Sequence, residues 1–391
     1  MTLLVLSLVG VSFVLALAGS MLLVRLGRTL GHFDTPAIDG QVKDPSRQIP
    51  NTGGVAITSA IVLPVALLLG LLQLIDPASL SFPSALEPHL AGLSTRMGEA
   101  WALLAAVGAV HALGLIDDRR PLGPWLKLGV MAAIALGLTL ASPETKLLTM
   151  LNPVAGGAWL STVLPVLWLL AVMNALNFMD NMDGLAGGVT AIASACFLAT
   201  TLSGQQWFVS AMLALLLGAT MGFCVLNKPP AKLFMGDGGS LVLGLLLGFL
   251  TVRTTYVDPG TGASQLHAAL MPLVVLAVPL YDMVSVIVIR LSQGKSPMVG
   301  DLQHLSHRLV KRGLTRPAAV GLIIGLTAAT GLAGLLLAGA DTRDAWIIAL
   351  QTFLLLGLLA AFERGSSASP ASITQPEKTQ CVNPERRPRT P

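Results

Sequence analysis

The sequence is poor in charged residues and in cysteine, and each shortage excludes a class of protein. Charged side chains make up 11% of the 391 residues, whereas a soluble domain carries about 25%. So few charges cannot cover a water-facing surface, so lipid must be the main solvent of this chain. The three cysteines lie far apart, which excludes a disulfide framework and a cysteine-based metal site; they are Cys196, Cys224 and Cys381. The net charge of +4 is small, and no nucleic-acid partner is expected.

Long apolar runs, by contrast, recur along the chain, of which 53% is hydrophobic. A spanning helix needs about 20 mostly apolar residues. Eleven candidate segments lie near 2–24, 53–75, 99–116, 125–141, 158–176, 185–202, 206–226, 239–254, 267–290, 318–338 and 345–362. They predict an all-α polytopic membrane protein with about eleven transmembrane helices. Residues 1–362 form the predicted membrane domain, and 363–391, rich in Ser, Pro, Thr and charge, form a predicted disordered cytoplasmic tail.

Basic residues are distributed unevenly between the two sides of the predicted membrane domain. With the loops numbered from the first helix onward, four of the 24 Lys and Arg residues fall in even-numbered loops, namely Arg96, Lys146, Arg253 and Arg343. Because basic loops favour the cytoplasm, the bias predicts an outside N-terminus and a cytoplasmic C-terminus. No basic residue precedes Arg25, so the first run is expected to be a retained helix and not a signal peptide.

Unusual polar residues are concentrated in the odd-numbered loops. In chain order these loops contain GHFDTPAIDGQVKDPSRQIPNTGG, LIDDRRPLGPWLK, NALNFMDNMDGLAGG, NKPPAKLFMGDGGS and SPMVGDLQHLSHRLVKRG. The even-numbered loops contain nothing comparable. Five polar clusters on one membrane face predict a single active site that is open to cytoplasmic substrates.

Asp117 and Asp118 are adjacent acids at the end of the third apolar segment. Neighbouring residues of a helix point about 100° apart, so both can face one site only at its rim. Paired carboxylates suit Mg²⁺ binding or general-base chemistry. The alternative is a solvated helix end beside Arg119 and Arg120. The helix dipole disfavours acids at a C-terminus, which favours the functional interpretation.

A row of amides and carboxylates follows the fifth segment. Asn174, Asn177, Asp180 and Asp183 are spaced by three, which places them on one face if the helix continues. Such a stripe at a membrane boundary could hold a phosphate–metal assembly or a sugar. The alternative is a capping cluster before the sixth segment, but capping needs one such residue.

Asp237 lies between glycines in the sequence FMGDGGS, immediately before an apolar run. A carboxylate on a glycine turn suits Mg²⁺, which typically takes one or two protein carboxylates and completes its shell with substrate oxygens. The alternative is that Asp237 caps the next helix, although Ser240 is also predicted to cap it.

The last basic loop, DLQHLSHRL, supplies Asp301, His304, His307 and Arg308. His304 and His307 share one face if the segment is helical, and imidazoles with a guanidinium suit contacts to a diphosphate. Zinc is a rival interpretation, but third and fourth ligands are not apparent. For three further cations the favoured role is contact with anionic lipid; these are Lys311, Arg312 and Arg316.

Taken in this order, the motifs IDD, NxxNxxDxxDG and FMGDxGS, followed by a histidine-bearing basic loop, resemble the bacterial polyprenyl-phosphate N-acetylhexosamine-1-phosphate transferases. The resemblance covers roughly residues 1–340. The chain is more similar to the eleven-span branch that uses UDP-GlcNAc. The ten-span branch that uses UDP-MurNAc-pentapeptide typically carries an HHH run, which is absent here.

The resemblance implies roles for individual residues. Catalytic roles fall on Asp117, Asp118, Lys127, Asp180 and Asp183. Substrate-binding roles fall on Asn174, Asn177, His304, His307 and Arg308. Asp237 matches the principal Mg²⁺ ligand, with Asn177 beside it. His304 and His307 match the outer histidines of an HxHH pattern in which Ser306 replaces the middle one.

The resemblance also implies a reaction at the bacterial inner membrane, with the active site on its cytoplasmic face. An N-acetylhexosamine 1-phosphate would pass from a UDP-sugar to undecaprenyl phosphate with release of UMP. Mg²⁺ is the expected cofactor and Mn²⁺ the second candidate. Membrane lipid and a second copy of the chain, in a homodimer, are further candidate partners. Direct and covalent mechanisms both stay open.

Three other functions compete with this interpretation. One is a pentapeptide-type transferase and another is an inactive scaffold. The third is a transporter, which would place acids near the bilayer midplane, often between inverted repeats. In this sequence the acids cluster at segment ends and no repeat is visible.

Overall fold

The structure is a computed structural model that describes residues 1–30, 49–74, 96–142, 145, 157–256, 268–298 and 302–364. Several sequence predictions lie outside these residues. They concern most of the loop after the first helix, Lys146, Asp301 and the tail from residue 365.

The described residues form a series of α-helices. In chain order these are α1 (Thr2–Leu30), α2 (Gly53–Leu74), α3 (Met97–Arg119), α4 (Pro124–Ala141), α5 (Gly157–Met179), α6 (Leu185–Ser203), α7 (Trp207–Asn227), α8 (Asp237–Arg253), α9 (Met271–Val275), α10 (Ala277–Ser292), α11 (Leu305–Lys311), α12 (Arg316–Leu336) and α13 (Thr342–Arg364). No strand occurs among the described residues. The predicted all-α class is confirmed.

Nine helices in the described part of the chain are long and apolar enough to cross a membrane, or ten if the bent pair formed by 268–275 and 277–292 counts as one span. All eleven predicted segments are helical. Helix α8 is not counted among the nine because it is too short. Its 17 residues reach about 25 Å at 1.5 Å per residue. The number of crossings and the orientation of the termini therefore stay predictions.

Helix α8 lies at the centre of the bundle. Every residue from Gly238 to Thr251 is buried, and the helix packs against α2, α3, α5 and α7. A helix that is apolar all round belongs inside a protein, which explains why this short run carries no polar face. The first residue of this buried helix is Asp237, so its carboxylate lies at the end of the bundle.

Glycine pairs bring helix backbones close together at two places. A Cβ atom at Gly218 would lie 2.2 Å from the carbonyl oxygen of Val9, and one at Gly222 would lie 2.4 Å from that of Phe13. This small-xxx-small pattern is the usual way for membrane helices to gain packing energy, because lipid is as apolar as their side chains. Gly244 and Gly248 repeat the pattern where α8 meets α5.

The ninth predicted segment is a broken helix. Residues 268–275 and 277–292 meet at an angle of 62°, and Leu276 lies at the break. Pro279 has no backbone N–H to donate and its ring crowds the carbonyl four residues earlier, which bends or breaks a helix. Helices α9 and α10 therefore point in different directions.

Polar contacts mark the two ends of the antiparallel pair α3 and α8. At one end the Arg253 guanidinium binds Glu99, with Nε 2.6 Å from Oε1. At the other end Asp118 accepts a hydrogen bond from the backbone N–H of Asp237 at 3.0 Å. The acids singled out in the sequence therefore lie together at one end of this helix pair.

Candidate active site

Lys127 connects the two helix ends that carry the predicted catalytic acids. Its ammonium lies 2.8 Å from Oδ2 of Asp117 and also forms a short ion pair with Oδ2 of Asp237. The other oxygen of Asp117 accepts a hydrogen bond from the backbone N–H of Leu122 at 2.6 Å. We refer to these three side chains, Asp117, Lys127 and Asp237, as the trio. Two carboxylates thus share one ammonium group.

Asp118 binds the N-terminus of α8 instead of joining the trio. Its carboxylate accepts hydrogen bonds from the backbone N–H groups of Asp237 and Gly238, at 3.0 and 3.3 Å. The side-chain amide of Asn51 donates to it at 3.3 Å. A helix N-terminus has unpaired N–H groups and a positive dipole end, so a carboxylate from another helix stabilises it. The adjacent acids thus have different partners.

Gly236 provides the turn that starts α8. Its φ of +67° is a left-handed conformation that glycine adopts without steric cost. A Cβ there would lie 2.5 Å from Oδ2 of Asp118. The helix begins at Asp237 with Gly236 as the N-cap, so the prediction that Ser240 caps this helix is wrong. Ser240 lies one turn inside.

Asn177 reaches the trio from a third helix. Its side-chain amide lies 2.8 Å from Oδ1 of Asp237 and 2.9 Å from Oγ of Ser240. The α5 position predicted to assist the metal therefore contacts the predicted metal ligand.

The other members of the predicted stripe diverge from it. Helix α5 ends at Met179, so Asp180 and Asp183 lie in the turn that follows. Asp183 accepts a hydrogen bond from the backbone N–H of Ala231 at 2.9 Å, while Asn174 donates to the carbonyl of Leu170 in its own helix at 2.8 Å. The prediction of four side chains in helical register is wrong because the helix stops.

The histidine-bearing helix α11 packs against the end of α5. His304 is buried, and its ring meets Phe178 edge-on with the ring centres 5.0 Å apart. Ser306, where the resembling family has a histidine, donates to Oδ1 of Asn181 at 2.5 Å. Because Phe178 follows Asn177 directly, His304 adjoins the segment that supports the trio.

Arg308 is bound within the protein. Its Nε lies 2.9 Å from Oε2 of Glu363, and one of its terminal nitrogens lies 2.7 Å from Oγ of Ser285. Glu363 and Arg364, which composition assigned to the tail, belong to α13. The guanidinium therefore ties α13 to α11.

Burial lowers the pKa of the His307 imidazole below its ordinary value of 6.5, and the charges of His304, Arg316 and Lys311 lower it further. The unfolded chain then binds a proton at higher pH than the folded protein. Stability should therefore fall as the pH drops below about 6.5. We expect His307→Gln to lose less thermal stability than the wild type between pH 8 and 5, measured by unfolding in detergent. Parallel losses in the two proteins would contradict this assignment.

Sequence reasoning missed four residues that organise the site. Asn51 supports Asp118, and Asn227 joins two loops by accepting from the backbone N–H of Gly184 and donating to the carbonyl of Leu233. Asp282 and Glu363 hold the histidine-bearing helix. Asp282 carried a signal, because an acid inside an apolar segment is costly and marks a functional position. The others are ordinary loop or helix-end residues by sequence.

The trio suits a hard divalent cation. In the described part of the chain, no group of three or more His, Cys, Asp or Glu side chains could hold a metal ion alone. Mg²⁺ needs only one or two protein carboxylates when substrate oxygens complete its shell. Asp117 and Asp237 converge on one cationic group, so their oxygens and charge fit Mg²⁺.

Comparison with known proteins finds similar sequences along about two thirds of the chain. The profile of glycosyl transferase family 4 matches residues 100–255, which run from α3 through α8. A probable undecaprenyl-phosphate N-acetylglucosaminyl 1-phosphate transferase of Bacillus subtilis is 28% identical over 285 residues, covering 68% of this chain and 77% of the relative. A decaprenyl-phosphate N-acetylglucosaminephosphotransferase of Mycolicibacterium smegmatis is 32% identical over 288 residues, covering 68% and 70%.

A relative with a different printed activity matches a shorter stretch. A phospho-N-acetylmuramoyl-pentapeptide-transferase of Lactobacillus johnsonii is 34% identical over 157 residues, covering 37% of this chain and 49% of the relative. The similarity to the N-acetylglucosamine enzymes extends further along both chains.

Proposed function

The chain belongs to glycosyl transferase family 4, and on this premise we propose that it transfers N-acetylglucosamine 1-phosphate from UDP-N-acetylglucosamine to undecaprenyl phosphate and releases UMP. The observation that carries the proposal is the convergence of Asp117, Lys127 and Asp237 where α3, α4 and α8 meet. The site faces the cytoplasm at the bacterial inner membrane. The reaction is the first membrane step of cell-envelope polysaccharide synthesis.

The reaction exchanges one phosphorus–oxygen bond for another. A phosphate oxygen of the lipid attacks the β-phosphorus of the UDP-sugar. The bond from that phosphorus to the bridging oxygen breaks, and UMP leaves with the oxygen and its electron pair. One diphosphate replaces another, so the reaction is readily reversible. Catalysis of this kind depends mainly on positioning and charge stabilisation.

Asp237 and Asn177, with Asp117 close by, would hold Mg²⁺, or Mn²⁺ in its place. A bound cation of this kind supplies charge neutralisation for the diphosphate. Asn177 donates to one oxygen of Asp237 and Lys127 binds the other, so both oxygens are held in fixed directions. The carboxylate is therefore already oriented before substrate arrives.

Lys127 and Asp117 act on the reacting phosphates in different ways. The Lys127 ammonium, which belongs to the trio, stabilises the charge that develops on the diphosphate oxygens in the transition state. Asp117 orients the acceptor phosphate and accepts its proton when it arrives protonated. A covalent route through Asp117 is an alternative, although Lys127 and the backbone N–H of Leu122 already bind its two oxygens.

Asp118 acts on the reaction through Asp237. It binds the backbone at Asp237 and Gly238, so it fixes where the first residue of α8 lies. Asp183 does similar work for the loop before α8, through the backbone of Ala231. His304 and His307 contact the donor diphosphate or sugar, and Arg308 supports the helix that carries them. The acceptor chain lies among the helices, in contact with membrane lipid.

The transporter alternative is the less favoured one. A transporter would carry its acids near the middle of the membrane. Here Asp117 and Asp118 lie in the last turn of α3, and Asp237 is the first residue of α8. Acids at helix ends favour chemistry at one membrane face.

UMP release from purified protein in detergent tests the proposal. We expect UMP to form from UDP-N-acetylglucosamine only when undecaprenyl phosphate and Mg²⁺ are both present. Chelation by EDTA should stop it, and added Mg²⁺ should restore it. Release with UDP-MurNAc-pentapeptide instead would favour the pentapeptide-type reaction. Folded protein that is silent with every UDP-sugar would contradict the transferase and favour the scaffold or the transporter.

A further inference from the structure

A carboxylate with no solvent exposure lies in α10, behind the histidine-bearing helix. Asp282 has a relative exposure of 0%, and it lies in the mostly apolar stretch LYDMVSV. Burying a carboxylate among apolar groups is costly unless it is paired and hydrogen-bonded. The partners of Asp282 are therefore the reason that it is tolerated at this position.

Both oxygens of Asp282 bind the same short stretch of chain. Oδ2 lies 3.0 Å from Nδ1 of His304, and Oδ1 accepts the backbone N–H of Leu305 at 2.5 Å. One carboxylate thus fixes the ring of His304 and the backbone immediately after it. A neutral amide in its place has only one accepting oxygen, so it could not accept both bonds.

The second side of the His304 ring is fixed by Phe178. The two rings meet edge-on, at 74° between their planes. The next residue toward the N-terminus is Asn177, which donates to Asp237 of the trio. With Nδ1 held by Asp282, Nε2 is the ring nitrogen left for a substrate. In the imidazolium form both nitrogens donate, one to Asp282 and the other to a phosphate oxygen.

We propose that Asp282 is a positioning residue that orients His304 so that Nε2 contacts the diphosphate of the bound UDP-sugar. This inference rests on the proposed function. In this arrangement a carboxylate holds an imidazole at one nitrogen so that the other nitrogen can act. Asp282 itself touches no substrate, so its effect on the reaction passes entirely through His304.

A double-mutant cycle with Asp282→Asn and His304→Gln tests the inference. Asp282→Asn alone should lower kcat/KM for UDP-N-acetylglucosamine by about 10- to 100-fold, mostly through a higher KM. In the His304→Gln background the same substitution should change kcat/KM by less than about twofold. Equal losses in both backgrounds would overturn the inference, because Asp282 would then act independently of His304. An unchanged single variant would overturn it as well.

A measurement on the unaltered protein keeps the inference testable if Asp282→Asn fails to fold. Diethyl pyrocarbonate modifies histidine at its available nitrogen, and mass spectrometry identifies the modified residue. Saturating UDP-N-acetylglucosamine should slow the modification of His304 several-fold. Unchanged modification of His304 would overturn the inference.

The failure of this inference and that of the proposed function give different results. If wild-type protein forms UMP and His304→Gln is fully active, His304 lies outside the site and only the inference fails. If wild-type protein forms no UMP from any donor, the proposed function fails first, and the inference fails with it.

Discussion

Replacement of Asp237 by asparagine should lower the rate of UMP release by about 10²- to 10³-fold, the usual effect of removing one preorganised electrostatic group. Asparagine has nearly the same size, but it removes the negative charge that pairs with Lys127. Lys127 keeps Asp117 as a partner, so the fold should survive. The loss should be accompanied by a need for more Mg²⁺, measured as the concentration that gives half-maximal rate.

Glu99→Gln is the matched control for this variant. Glu99 is also a carboxylate on the α3–α8 pair and also binds a basic side chain, Arg253, but at the end remote from the trio. We expect Glu99→Gln to lower the thermal stability and to leave the rate within about twofold of the wild type. If both variants lost activity equally, the trio would be no more than a packing contact. Full activity in Asp237→Asn would remove Asp237 from the reaction.

Gly114→Ala should lower the rate by about 100-fold, although Gly114 has no side chain to take part in chemistry. A Cβ at this position would lie 2.4 Å from the carbonyl carbon of Asp237 and from the backbone nitrogen of Gly238. Ordinary contact begins near 3.4 Å, so α3 and α8 would have to separate by about 1 Å. A misplacement of about 1 Å in a catalytic geometry costs about 10²-fold. The strain should also lower stability by about 1–3 kcal/mol.

Gly108→Ala, in the same helix, controls for the loss of a glycine. Nothing lies within 4 Å of a Cβ built at Gly108, so the substitution adds a methyl group in open space. It should leave the rate unchanged, because the added methyl group meets no neighbouring atom. It should not weaken the helix, because alanine is a better helix former than glycine. If Gly114→Ala were as active as Gly108→Ala, the spacing of α3 and α8 would not matter for the reaction. Both variants are compared by UMP release and by thermal unfolding.

Gly114 and Asp118 both act on the start of α8, where Asp237 lies. Asp118 binds the backbone at the start of α8 from the same helix that carries Gly114. The close approach allowed by Gly114 brings the carboxylate of Asp118 within reach of those backbone N–H groups. Packing and hydrogen bonding therefore act on the same few atoms. A disturbance of either should be felt at Asp237.

The sequence by itself determined the helices and the helix ends that carry the candidate site residues. Hydropathy adds up along a segment and does not depend on distant residues, so all eleven apolar runs became helices. The polar motifs at the ends of those runs also predicted Asp117 and Asp237 as site residues, and the family resemblance predicted Lys127, without knowledge of their contacts. Asp117 and Asp237, 120 positions apart, both reached the Lys127 ammonium in the folded chain.

Only the tertiary structure decided what each polar side chain binds. Asp117 and Asp118 are equivalent by sequence, yet one pairs with Lys127 and the other binds the N-terminus of α8. Asp282 lies inside an apolar run, and Glu363 lies in the segment that composition assigned to the tail. Neither was predicted as a site residue. The partner of a polar group depends on which helix backbones approach it. That approach is set by packing between residues far apart in the chain, which no local pattern contains.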